Sequence, residues 1–254
     1  MPKNPRQENL NKRLITDDGS QETKEKALEY AKPNNTKSSG GEIECYFRNL
    51  ETHLNKKIKQ YPVIVGCVAW LSNKLLLKTL ATRKAVSIII QKEDFLRPDS
   101  NDNRGKKLKP LYKQLPHIMG GTKREFYWGD IVDNLDIIHG WESESVRWMG
   151  NFNTDKKPAF PRMHNKFLVF CEVEKYKISD EWEPETIIPK AVWTGSFNLS
   201  HNSTNSLENA LFINNEEIVK AYYDEWQYIF ALSERITDED WELTWHPPSF
   251  RIGT

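Results

Sequence analysis

Two short apolar runs rich in β-branched residues, separated by one helix-length segment, constrain the fold of this chain most strongly. The first run, 63–70, follows Pro62, and the second spans 85–91. Runs of this length and composition are typical of strands whose two faces are both covered. Ser72 can cap a helix between them that continues to about Thr82. Two strands joined by a helix form a parallel pair with a right-handed crossover, so we expect an α/β fold.

Further helices and strands are predicted on both sides of this unit. Apolar residues at spacings of three and four predict a preceding helix of about 17 residues. Its buried face would consist of Ile43, Phe47, Leu50, Leu54 and Ile58. Extended runs at 164–173 and 191–198 predict two neighbouring strands, short strands are expected at 136–139 and 145–150, and a last helix begins near Asn215. We therefore expect a mixed, largely parallel sheet that is flanked by helices on both faces.

The first 40 residues differ from the rest of the chain in composition. They are polar, with few apolar residues that a core could bury. This composition is typical of disordered tails. The sequence therefore predicts a flexible N-terminal tail, 1–40, and one folded domain, 41–254.

Composition also excludes several classes of protein. The 38% of hydrophobic residues and the nine Trp exclude wholesale disorder and a collagen-like repeat. Cys45, Cys67 and Cys171 lie far apart, which indicates neither a disulfide framework nor a cysteine zinc site. No stretch reaches the roughly 18 to 20 consecutive apolar residues of a membrane helix, and the amino terminus lacks the apolar core of a secretion signal. We expect a soluble, cytoplasmic protein.

The formal net charge of zero hides an uneven distribution of charge. Residues 56–124 carry 16 Lys and Arg against 4 Asp and Glu, whereas residues 125–254 carry 11 against 23. A basic surface can therefore exist on a neutral protein; the alternative is that the two segments face each other and cancel. The candidate contacts to a polyanion in the basic segment are Lys106, Lys107, Lys109, Lys113, Lys123 and Arg124.

The run that begins at His164 carries the first candidate catalytic groups. Side chains alternate across a strand, so His164 and Lys166 point to the same face, about 7 Å apart along the chain. An imidazole would thus lie beside a fixed positive charge.

Two later segments carry complementary polar groups. Ser196 and Asn198 alternate in the same way and offer hydrogen-bond donors, while Gly195 permits a close backbone approach. Glu208 comes just ahead of another apolar run. If these segments are adjacent in space, one pocket holds an imidazole, an ammonium, a hydroxyl, an amide and a carboxylate.

This set of groups suits phosphodiester cleavage better than acyl transfer. Negative charge spreads over several oxygens of a phosphoryl group in the transition state, and Lys166, Ser196 and Asn198 are donors that would stabilise it. His164, with a usual pKa of about 6.5, can act as a neutral nucleophile. Glu208 would hold the far ring nitrogen of His164 and select its tautomer.

At these residues the sequence resembles the phospholipase D superfamily, which is recognised by a His-x-Lys motif followed by Gly-Ser-x-Asn. The matching residues are His164, Lys166, Gly195, Ser196, Asn198 and Glu208. The run 193–200 looks especially like the small members with a single motif, a group that includes bacterial endonuclease and mitochondrial cardiolipin hydrolase. The resemblance covers residues 163–230 well and 41–92 loosely, and it implies that 41–254 is a phospholipase D-like catalytic domain.

The resemblance implies a mechanism that needs no metal and no cofactor. One imidazole attacks phosphorus to give a phosphohistidine, and a second His protonates the leaving oxygen. None of the other five histidines of this chain is followed two residues later by Lys. The resemblance therefore implies a homodimer in which two copies of His164 share one site.

The sequence departs from the family pattern in two places. Cys171 stands where the family usually has Asp, a position usually taken as structural. The connection from Cys171 to Gly195 is also longer than usual, and an inserted hairpin is the simplest account.

Three functions are compatible with these residues. We expect a metal-independent phosphodiesterase, an endonuclease in kind, that cleaves DNA or RNA. The alternatives are a phospholipid hydrolase of the cardiolipin type, with the same catalytic site, and a non-catalytic nucleic-acid-binding module of the same fold.

Overall fold

The computed structural model describes residues 35–97, 100–116, 144–153, 160–175 and 185–236. The strand predicted at 136–139 and all but the end of the N-terminal tail lie outside these residues.

The described residues form one sheet of nine strands with helices on both faces. The strands are β1 (Thr36–Lys37), β2 (Ile43–Tyr46), β3 (Val63–Val68), β4 (Ala85–Gln91), β5 (Val146–Met149), β6 (Lys166–Lys175), β7 (Glu185–Gly195), β8 (Ala210–Ile213) and β9 (Glu234–Arg235). They are ordered β1-β2-β8-β7-β6-β3-β4-β5-β9. The helices are α1 (Leu50–Gln60), α2 (Lys74–Leu80), α3 (Asn103–Lys113), α4 (His201–Thr204) and α5 (Glu216–Leu232).

Each face of the sheet has its own apolar core. Leu54 of α1, Leu76 of α2 and Leu108 of α3 pack into the first core. Val219 and Trp226 of α5 pack into the second. Both sheet faces are therefore covered, as predicted, which explains why every residue of β3 and β4 is buried.

The α/β class, the mixed sheet and the crossover between β3 and β4 are confirmed, but the expectation of a largely parallel sheet is wrong. Among the strands that the structure describes, only β3–β4 and β4–β5 are parallel, and the other six pairings are antiparallel. Parallel neighbours need a long crossover connection such as the one through α2, whereas β6 ends at Lys175 and β7 begins at Glu185, and the helix described between β7 and β8 is the four-residue α4. These strands therefore return antiparallel.

The helix predicted to begin near Ile43 begins seven residues later. Ile43–Tyr46 forms β2, which pairs antiparallel with β8. Asn49 adopts a left-handed conformation with φ of 56°, and α1 starts at the next residue. Over only four residues a strand and a helix can share the same apolar spacings, so the sequence pattern did not separate them.

The helix between β3 and β4 has a different cap from the predicted one. The Asn73 side chain, and not Ser72, accepts hydrogen bonds from the backbone N–H groups of Leu75 and Leu76. Asn and Ser are both good N-cap residues, so the shift by one position leaves the helix in place.

The topology brings the polar motif segments to one edge of the sheet. The end of β3 pairs with the start of β6 through Val68 and Lys166. Phe167, the next residue of β6, pairs with Thr194 near the end of β7, and Gly195 pairs with Ala210 at the start of β8. This edge, at the end of β3 and β7 and the start of β6 and β8, is called the motif edge below.

We predict that Gly66→Ala destabilises the fold because β3 and β6 approach each other closely at this residue. A Cβ atom at Gly66 would lie 2.3 Å from the carbonyl oxygen of Phe167 and 2.9 Å from the Cα of Leu168. Overpacking of this kind costs about 1–3 kcal/mol. Urea unfolding followed by circular dichroism measures the loss.

Gly40→Ala is the matched control, since a Cβ atom there meets nothing within 4 Å. Equal free energies of unfolding for the two variants would contradict the close approach of β3 and β6.

Candidate active site

Backbone hydrogen bonds fix the segments of the motif edge to one another. The N–H of Ala69 donates to the carbonyl oxygen of Asn165 at 2.9 Å, and the N–H of Ser72 donates to that of Leu199 at 2.7 Å. Leu71 and Leu199 form an isolated parallel bridge. The chain that follows β3 is therefore held between the His164 segment and the Ser196 segment.

His164 and Lys166 lie together, as the alternation predicted. The Lys166 Nζ is 3.1 Å from His164 Nδ1 and 3.4 Å from its Nε2, and it donates to the His164 carbonyl oxygen at 2.8 Å. His164 is exposed and Lys166 is half-buried. An ammonium in hydrogen-bond contact with an exposed imidazole is an arrangement that can bind an anion beside a nucleophile.

The surroundings of His164 favour its neutral form. Partial burial lowers the pKa of His164 below its usual 6.5, and the positive charges of Lys166 and Arg162 lower it further. A neutral imidazole has a free lone pair for attack, so the charges near His164 favour the nucleophilic state at neutral pH.

Lys166 experiences two opposing effects. Partial burial lowers the pKa of Lys166, while the negative charge of Glu208 raises it. Glu208 therefore helps to keep the ammonium protonated.

Ser196 and Glu208 form the second polar pair of the site. The Ser196 hydroxyl donates to the Glu208 carboxylate. The N–H of Asn209 donates to Ser196 Oγ at 3.1 Å, and the N–H of Ser196 donates to the Asn209 carbonyl oxygen at 3.1 Å. We expected Glu208 to hold the His164 ring, but within the described residues no hydrogen bond joins the two. The structure places the Ser196 hydroxyl at this carboxylate instead.

Asn198 and Gly195 lie close to this pair but in different environments. Asn198 is only 6% exposed, and its Oδ1 atom is buried without a hydrogen-bond partner among the residues that the structure describes. A Cβ atom at Gly195 would lie 2.3 Å from the Asn209 carbonyl oxygen and 2.8 Å from the Cα of Ala210. The close approach predicted at Gly195 is thus an approach to the backbone of β8.

Four of the six predicted basic contact residues lie on α3. Lys106, Lys107 and Lys113 are exposed, and Lys109 is partly buried. The Tyr112 hydroxyl, which is buried, donates to the Leu71 carbonyl oxygen and ties α3 to the motif edge. Lys123 and Arg124, the remaining two, lie outside the described residues.

The sequence reasoning missed three residues of the site, namely Arg162, Trp70 and Glu93. Arg162 precedes His164 by two residues, so the alternation that paired His164 with Lys166 was the signal that could have identified it. Trp70 lies edge-on to the His164 ring, with ring centroids 6.4 Å apart. Its Nε1 donates to Glu93 Oε1 at 2.8 Å, and Arg162 is 3.6 Å from the same oxygen.

Cys171, at the position where the family usually has Asp, is a core residue. Its side chain is fully buried in the second core, and burial raises the pKa of its thiol. It lies five residues along β6 from Lys166, about 17 Å at the usual rise of a strand. The replacement therefore alters packing at a distance from the polar groups of the site.

Neither a metal cluster nor a membrane span is found in the described part of the chain. No three His, Cys, Asp or Glu side chains among those residues are grouped as metal ligands would be. No helix that the structure describes is both long and apolar enough to cross a membrane.

The chain is similar in sequence to the uncharacterized protein L381 of Acanthamoeba polyphaga mimivirus. The two are 33% identical over 208 residues, which are 77% of this chain and 68% of that protein. No family model matches the chain.

Two solved structures are also similar to it. NucT from Helicobacter pylori is 13% identical, with a TM-score of 0.43 over 76% of this chain and 98% of its own. Nuc from Salmonella typhimurium, a phospholipase D family member, is 16% identical, with a TM-score of 0.42 over 76% of this chain and 95% of its own. Because both scores are below 0.5, the resemblance to phospholipase D rests on the motif residues.

We predict that Arg162→Gln raises the pKa of His164. A nearby positive charge disfavours the imidazolium, so its removal makes protonation easier and moves the titration to higher pH. Titration of the His164 ring by NMR measures the change. Arg162→Lys keeps the charge and is the matched control; an unchanged His164 pKa in Arg162→Gln would contradict the assigned role of this guanidinium.

Proposed function

We propose that this protein is a phosphodiesterase of the phospholipase D type that cleaves nucleic acid. The chain belongs to the same family as the mimivirus protein L381. The name of that relative assigns no activity, so the proposal depends on the residues of the motif edge.

One observation supports the proposal above all others. Lys166 contacts His164 at one strand end, and the Ser196–Glu208 pair lies at the adjacent strand end of the same sheet. A cation, a hydroxyl and a neutral imidazole on one edge are the groups that phosphoryl transfer needs, because its transition state carries charge on several oxygens.

In the first step, a lone pair of the His164 ring forms a bond to phosphorus, and the bond from phosphorus to the leaving oxygen breaks. Lys166 stabilises the negative charge on the phosphoryl oxygens. The Ser196 hydroxyl, whose proton can rotate from Glu208 to the phosphate, is a second donor. In the second step water attacks phosphorus, the bond from phosphorus to His164 breaks, and the proton that the water loses passes to the group that protonated the leaving oxygen.

The leaving oxygen must receive a proton in the same step. His164 is the only His of a His-x-Lys motif in the sequence. We propose that His164 of a second copy, protonated because the negative charge of the bound phosphodiester favours an imidazolium beside it, supplies the proton in a homodimer whose two-fold axis passes between the two rings.

Glu208 has a different role from the one that the sequence suggested. Its contact with the Ser196 hydroxyl and its effect on the pKa of Lys166 make it a positioning residue for these two donors. A contact of Glu208 with Ser196 and not with the His164 ring also suits the chemistry, since a carboxylate on the ring would favour the imidazolium.

The basic face of α3 favours nucleic acid as the substrate. Lys106, Lys107 and Lys113 are exposed on a helix whose buried Tyr112 contacts the residue after Trp70. Exposed lysines on a helix that is tied to the motif edge can contact phosphates of a bound strand, and such contacts make affinity fall steeply with salt. We infer that substrate binding weakens as ionic strength rises.

A phospholipid substrate is the second candidate, and one observation favours it. Phe160 and Leu207 are 77% and 63% exposed, and each lies within four residues of a site residue, which gives the motif edge some apolar surface. Cardiolipin vesicles assayed beside DNA and RNA separate the two substrates.

We predict that His164→Ala lowers the rate of oligonucleotide cleavage by about three orders of magnitude or more, because it removes the nucleophile. Cleavage of labelled DNA and RNA at several salt concentrations, with and without EDTA, is the assay, and wild-type cleavage should persist in EDTA. His201→Ala, which removes another exposed His, is the control. Loss of wild-type activity in EDTA, or equal rates for wild type and His164→Ala, would contradict the proposal.

A mixing experiment tests the shared site. Wild-type and His164→Ala chains are unfolded together in equal amounts and refolded, so that copies associate at random. If both copies of His164 are needed, the activity of the mixture falls to about one quarter of that of the same total amount of wild-type protein; if each copy works alone, it falls to about one half. A value of one half would contradict the dimer-shared site.

A further inference from the structure

Trp70 is unusual among the large apolar side chains because it is exposed beside the proposed nucleophile. It is 40% exposed, whereas Trp is on average one of the more deeply buried residues. Its ring meets the His164 ring edge-on, with an interplanar angle of 89°. An aromatic surface is thus open to solvent next to the group that attacks phosphorus.

The Trp70 side chain is held in a fixed orientation. Its Nε1 donates to Glu93 Oε1 at 2.8 Å, and the Glu93 side chain is only 16% exposed, with Arg162 at 3.6 Å from the same oxygen. The pairing of Trp70 with a mostly buried carboxylate satisfies the only polar atom of the indole, which leaves its exposed surface apolar.

The backbone on both sides of Trp70 is fixed as well. Ala69 donates to Asn165 in the His164 segment, and Leu71 bridges to Leu199, next to Asn198. Trp70 therefore lies between the two halves of the motif. A substrate group that contacts its ring would lie close to the phosphate that His164 attacks, because the two rings have centroids 6.4 Å apart.

The basic helix α3 contacts the motif edge next to Trp70. The Tyr112 hydroxyl of α3 donates to the carbonyl oxygen of Leu71, the residue after Trp70. The helix that carries the exposed lysines Lys106, Lys107 and Lys113 is thus anchored at the residue that follows Trp70. Proteins that bind single-stranded nucleic acid combine a positively charged track for the backbone with aromatic rings on which bases stack.

We propose that Trp70 stacks on the unpaired base of the nucleotide next to the scissile phosphate, so that the site selects single-stranded nucleic acid. This inference rests on the proposed nuclease function and names its substrate class. In a duplex the same base is stacked and paired within the helix, and it reaches Trp70 only if it is unstacked first.

The test compares three substrates of the same sequence. They are a single-stranded oligonucleotide, its duplex, and a single strand in which the nucleotides that flank the cleaved phosphate lack their bases. The variants are Trp70→Leu, which keeps an apolar side chain without the flat ring, and Trp70→Phe, which keeps a smaller aromatic ring. Ile218→Ala on α5 is the matched control, because Ile218 is 39% exposed and belongs to a helix of the opposite face.

The expected result is a loss that depends on the base. Trp70→Leu lowers kcat/KM on the base-bearing single strand about tenfold more than on the abasic strand, and it reduces the preference for single strand over duplex by a similar factor. Trp70→Phe retains most of both preferences. Ile218→Ala retains them fully, and circular dichroism shows that all three variants fold.

Two results overturn the inference without affecting the proposed function. One is an equal loss on all three substrates in Trp70→Leu, which would make Trp70 a packing residue of the site. The other is wild-type protein that cleaves duplex and abasic strands as fast as the base-bearing single strand. Wild-type protein that cleaves cardiolipin vesicles and none of the three oligonucleotides overturns the nuclease function and this inference together.

Discussion

The pairing of β6 with β3 on one side and with β7 on the other determines where each polar group of the candidate active site lies. Lys166 is the first residue of β6 and pairs with the last residue of β3, and Phe167 pairs with Thr194 near the end of β7. A shift of one residue in either register would turn Lys166 and its neighbours to the opposite face of the sheet. The register is protected by the two apolar cores, since every residue from Phe167 to Cys171 is buried.

The charges around His164 agree with a nucleophilic role. Lys166 and Arg162 both lower its pKa, and the nearest carboxylate of the second motif, Glu208, contacts Ser196 instead. Cations that keep the imidazole neutral also attract a phosphate to it, so the same two side chains serve binding and activation. The positive charges of Lys166 and Arg162 therefore link the electrostatics of the site to the chemistry proposed for it.

The sequence predicted the parts of the fold and of the site that depend on local patterns. β3, α2 and β4 were predicted because apolar runs and cap residues are local signals, and the contact of His164 with Lys166 followed from strand alternation. The antiparallel return of β6, β7 and β8 was not predictable in this way, because both strand directions have the same alternation. The partner of Glu208 was missed because it depends on the loop geometry between β7 and β8, which no short pattern encodes.

A covalent phosphohistidine at His164 is the central claim, and trapping it is the most direct test. The protein is mixed with an end-labelled oligonucleotide, the reaction is stopped in alkaline denaturant within the first turnovers, and the labelled peptide is identified by mass spectrometry. The account predicts one phosphoryl adduct on the peptide that contains His164, absent in His164→Ala and present when EDTA is added. Continued turnover with the adduct on another residue, or with no adduct at any time, would contradict it.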